Sequence, residues 1–152
     1  MAYTKCKLYV GANSETKTNI NSSNAEVFCS MPNSVIADGL GMTSTGKLVI
    51  PTTGTYRLTA HAEIGYGADK DFVYFGFDYA GSDGTSSGHM DRNAVTCISC
   101  DDNGGTMNMY GAVTDVVTFT AGQVIGCMYM RGSSNTSNIK VYGPTITIEK
   151  LD

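Results

Sequence analysis

The chain has 152 residues, a formal net charge of −4 and 16% charged residues, with 18 Gly, 3 Pro and no Trp. An acidic balance with ten scattered Lys and Arg excludes the electrostatic footprint of a nucleic-acid binder and gives no polybasic run for an anionic membrane. The length suits one domain, and Gly with Ser, Thr and Asn suits short strands joined by many turns.

Residues 1–10 (MAYTKCKLYV) hold no apolar run of signal-peptide length, and no later run is long enough to span a bilayer. Synthesis without an export signal is therefore expected. In residues 5–10, Cys6, Leu8 and Val10 share one face and Lys5, Lys7 and Tyr9 the other. Residues 11–25 (GANSETKTNINSSNA) are polar and read as a long exposed connection. Two arrangements fit this segment. Residues 1–25 form an attachment arm that pairs away from the body at 26–152, or the first strand is an edge strand of one domain.

Period-two segments follow in chain order at 26–31, 47–50, 55–64, 72–80, 94–99, 107–110, 113–120, 123–130, 139–142 and 145–151. The clearest is 55–64: Tyr56, Leu58, Ala60, Ala62 and Ile64 alternate with Thr55, Arg57, Thr59, His61 and Glu63. Gly- and Asp-rich punctuation separates the segments, with loops expected at 65–71, 81–91 and 132–138. About eight to ten strands at this spacing predict an all-β antiparallel two-sheet sandwich or barrel.

Residues 46–58 (GKLVIPTTGTYRL) join two of these strands through a corner. Pro51 has no N–H for a ladder and fixes its own φ. Gly54 is expected to supply a positive φ, and Tyr56 to open the inward face. This stretch resembles the signature of the tumour-necrosis-factor and complement globular-head jelly rolls, in which a P-x-x-G corner is followed by G-x-Y-x-[FL]. Residues 117–130 (VTFTAGQVIGCMYM) resemble that family's paired apolar strands around a Gly-led turn. Leu48, Leu58 and Ile146 depart from it where aromatic residues are usual.

The resemblance implies a TNF-like jelly roll that assembles as a homotrimer. Tyr74, Tyr129 and Tyr142 on second faces of their strands would then find burial against a neighbour, since interface cores favour Tyr, Phe and Met. The plainer alternative is that they cover an outer sheet. Bacteriophages use such jelly rolls as head decoration proteins and as fibre tips. The resemblance thus implies a virion protein: a trimeric cement on the major capsid protein, with Lys5, Lys7 and Tyr9 as arm contacts. The alternative is a receptor-binding fibre tip that meets a host surface receptor.

Catalytic and metal motifs do not assemble. Residues 84–88 (GTSSG) match G-x-S-x-G, with Asp83 and His89 nearby, but no helix follows Ser86 and no acid lies between Ser86 and His89. Cys97 and Cys100 form a single C-x-x-C without a second pair, and a strand spacing of three places them on opposite faces. Residues 101–105 (DDNGG) cluster oxygens that suit calcium, but they do not match the loop pattern for it and equally suit a hairpin tip. His61 and His89 are the only histidines, which leaves little for acid–base chemistry. No cofactor, no metal and no enzymatic activity are expected.

Overall fold

The computed structural model describes residues 5–9, 15–18, 26–29, 33–36, 41–42, 47–65, 71–79, 90–100, 108–131 and 139–152. Twelve strands lie among them: β1 (Lys5–Tyr9), β2 (Glu15–Thr18), β3 (Glu26–Cys29), β4 (Asn33–Ile36), β5 (Gly41–Met42), β6 (Leu48–Val49), β7 (Gly54–Gly65), β8 (Asp71–Asp78), β9 (Met90–Cys100), β10 (Asn108–Phe119), β11 (Val124–Arg131) and β12 (Ile139–Lys150). They form two six-stranded sheets. The first runs β10-β7-β12-β1-β4 with β2 also beside β12; the second runs β5-β6-β11-β8-β9 with β3 also beside β11. Each pairing is antiparallel. The molecule is an antiparallel jelly-roll sandwich.

Alternation makes the core. Tyr56, Leu58, Ala60 and Ala62 of β7 are buried with Ile146 and Ile148 of β12, facing Val73, Phe75 and Phe77 of β8 and Ile125, Cys127 and Tyr129 of β11. Burying each large apolar side chain contributes about 1.5–3 kcal/mol, which is what fixes the register: a slip by one residue would turn this row outward.

The corner after β6 is held by main-chain bonds. Ile50 N–H donates to Gln123 O and Gly122 N–H to Ile50 O, both at 2.8 Å. The Tyr56 hydroxyl donates to Thr52 O at 2.7 Å, so the first inward residue also ties down the turn that precedes it. Gly54 differs from its sequence expectation. Among the described residues the glycine at positive φ is Gly122, at 86°, in the β10–β11 turn. At Gly54 a Cβ would instead lie 2.5 Å from Lys150 Cε and 2.7 Å from Asp152 Oδ1, the far ends of two flexible side chains, so what a Cβ would meet there is movable and not a fixed wall.

Two strands run longer than their sequence pattern suggests. Residues 107–110 and 113–120 belong to one strand, β10, because Gly111 is not a break: a Cβ there would overlap the Ile98 side chain of β9. Residues 139–142 and 145–151 likewise belong largely to β12, whose register shifts between Tyr142 and Thr145, where Gly143-Pro144 removes a ladder donor.

Candidate functional site

The first strand lies inside the first sheet. β1 sits between β12 and β4, with Lys5 opposite Glu149, Lys7 opposite Thr147 and Tyr9 opposite Thr145 on one side, and Lys7 opposite Val35 on the other. Its main chain is thus engaged within its own domain on both edges, and β2 pairs β12 within the segment read as a connection. A free arm at 1–25 is not the arrangement seen for these strands. Polar composition hides β2 because ETKT has no apolar alternation for a sequence reading to find.

Tyr74 and Tyr129 lie on opposite faces of the second sheet, and Tyr142 belongs to a strand of the first. Tyr129 is fully buried in the core of its own chain, so it needs no neighbour for burial. In β11 nearly every position is buried, and an apolar run without alternation does not reveal which face a tyrosine takes. Tyr74 is half-buried on the opposite face of the second sheet, against a small cluster of Met128 and Met130 with Val95. Tyr142 pairs Glu63 of β7 in the first sheet; its side chain lies outside the described residues. Cys97 is exposed and Cys127 is buried. The 84–88 and 101–105 motifs, with His89, also fall outside the described residues.

The surface that stands out is the solvent side of the first sheet. There β7 and β10 pair Thr55 with Thr118, Arg57 with Val116, Thr59 with Thr114, His61 with Ala112 and Glu63 with Tyr110. The hydroxyls of Thr59 and Thr114 lie 3.3 Å apart and those of Thr55 and Thr118 3.2 Å apart. Thr147 and Glu149 of β12 continue the face. Arg57 Nη1 meets Glu149 Oε2 at 3.3 Å. A hydrogen bond and then charge repulsion from Glu63 raise the Tyr110 phenol above its ordinary value. Tyr110 is 75% exposed and Val116 54% exposed.

This face is rich in Thr and carries two large exposed apolar side chains. Its hydroxyls, the Arg57–Glu149 pair, Glu63 and an exposed histidine suit association more than bond breaking. Among the described residues no three His, Cys, Asp or Glu side chains are grouped to hold a metal ion, and no helix is long and apolar enough to cross a membrane. The sequence signal for the face was present in the β7 alternation; Tyr110 and Val116 were missed because Gly111 divided their strand.

No protein-family model matches the chain, and no curated protein matches it. Among solved structures it resembles the Eiger TNF of S. frugiperda, with a TM-score of 0.60 over 99% of this chain and 93% of that one, at 10% sequence identity. The fold is therefore TNF-like, as the corner motif implies.

Proposed function

We propose that the chain is a non-enzymatic, homotrimeric binding module that presents its loops to a surface partner. The observation that carries this reading is the TNF-like fold spanning nearly the whole chain, together with an exposed sheet face that presents Tyr110 and Val116 among threonines. A ring of three closes the repeated contact so that no copy of the patch is left open. In this reading the module is the receptor-binding tip of a bacteriophage fibre, and residues 65–71, 81–91 and 132–138 supply the host contact. The engagement of β1 within the sheet favours this over a capsid cement, because the cement reading relied on a free arm for strand addition.

The test is sedimentation equilibrium followed by cell binding. The expected mass is three chains, and labelled trimer is expected to bind a subset of a bacterial strain panel, with binding lost when residues 132–138 are replaced by Gly and Ser. A monomer at micromolar concentration overturns the assembly. A trimer found at one per capsomer in purified particles, and binding no cell, returns the cement reading.

A further inference from the structure

Strand β10 reads NMYGAVTDVVTF, and Asp115 is its single charged residue. Among the described residues its ladder partner is β7 alone, so β10 closes one end of the first sheet. In antiparallel pairs the positions that exchange no main-chain bonds bring their side chains closest, and their N–H and C=O groups point away from the partner strand. The Thr59–Thr114 and Thr55–Thr118 hydroxyl contacts at 3.3 and 3.2 Å mark the even-numbered positions of β10 as such pairs. Val116 agrees: its N–H donates to the Asp115 side chain. From Thr114 to Thr118 the main chain of alternate residues therefore faces away from β7, toward a side where no other described strand pairs.

A long, β-branched, nearly uncharged edge is a template for another strand. Here both oxygens of Asp115 are committed at that edge. Oδ1 accepts the Val116 N–H at 2.8 Å, and Oδ2 accepts the Tyr79 hydroxyl at 2.5 Å. Tyr79 is itself fixed, stacked on Phe77 at 5.8 Å between ring centroids and edge-on to Phe119 at 5.4 Å. The carboxylate is thus held where an added strand would need a free donor.

We infer that Asp115 guards the β10 edge against pairing with β10 of a second copy. The self-pairing it prevents is two-fold and antiparallel, a geometry any strand can adopt with its own copy. Alignment centred on Asp115 would place the two carboxylates directly opposite each other, and like charges across a ladder oppose pairing. The guard needs no assumption about the assembly proposed above, because the wild-type particle, whatever its mass, is the reference.

The test compares wild type with Asp115→Ala and the isosteric Asp115→Asn by sedimentation velocity and amide hydrogen exchange. Both variants are expected to form species at least twice the wild-type mass, with new protection at the Val116 amide. Variants that fold, by far-ultraviolet circular dichroism, and sediment as wild type overturn the inference. Failure of both to fold overturns it too, since Asp115 would then serve the core and not the edge.

Discussion

Lys47 Nζ lies 2.9 Å from Asp78 Oδ2, and each side chain is only 1% exposed. Lys47 precedes β6 and Asp78 ends β8, two strands that both pair β11. The pair ties these two strands to each other across β11, at positions that alternate with the core residues Leu48 and Phe77. Replacing Lys47 with Met leaves the Asp78 carboxylate buried without its ammonium, and is expected to cost about 3–5 kcal/mol. Replacing both, Lys47→Met with Asp78→Leu, is expected to recover most of the loss. Urea unfolding of the three proteins measures it.

Gly111 faces Ile98 across the sandwich, where a Cβ would overlap the isoleucine. Gly111→Ala is expected to destabilise by about 1–3 kcal/mol. Ile98→Val in the same chain gives part of that back, so a double-mutant cycle should show clear coupling between the two sites.

Tyr56 combines a buried ring with a hydroxyl that reaches Thr52 O at 2.7 Å. Tyr56→Phe keeps the ring and loses the tie, for an expected cost of about 0.5–1.5 kcal/mol. Tyr56→Ala also empties the core position and is expected to cost about 3–5 kcal/mol. A thermal-unfolding series separates the two contributions.

Asp152 Oδ1 accepts the Thr55 N–H at 2.9 Å, and this bond holds its carboxyl below the ordinary value of 3.8. A lowered folded value means that the clasp is fully present above 3.8 and is lost as pH falls through the depressed value. An NMR titration should show the Thr55 amide and the Asp152 carboxyl moving together in acid. In Asp152→Asn the Thr55 amide should no longer follow this titration.

Much of the architecture could be read from particular residues. The Tyr56-to-Ala62 alternation gave the face, period and core of β7, because a half-buried strand must alternate. The corner at Pro51 was legible because proline and a turn leave few options. Three features were not. Gly111 looked like punctuation, since nothing in a one-dimensional pattern announces Ile98 above it. Tyr129 was given to a neighbour, since β11 is buried on both faces and shows no period. The pairing of β1 between β12 and β4 was hidden because strand partners far apart in sequence leave no local trace. The solvent face of the first sheet follows the same division: its β7 row was visible, and its β10 row was not.

The position of β12 has a consequence in time. This strand ends at Lys150, yet it pairs with β7 on one side and with β1 and β2 on the other. Lys5 has its partner at Glu149, so the first strand can meet β4 early but waits for nearly the whole chain before its ladder with β12 can form. Long-range pairings of this kind place folding in the slow, millisecond-to-second range, with strand edges uncovered in the interval. The first sheet is stitched shut from its middle, and last.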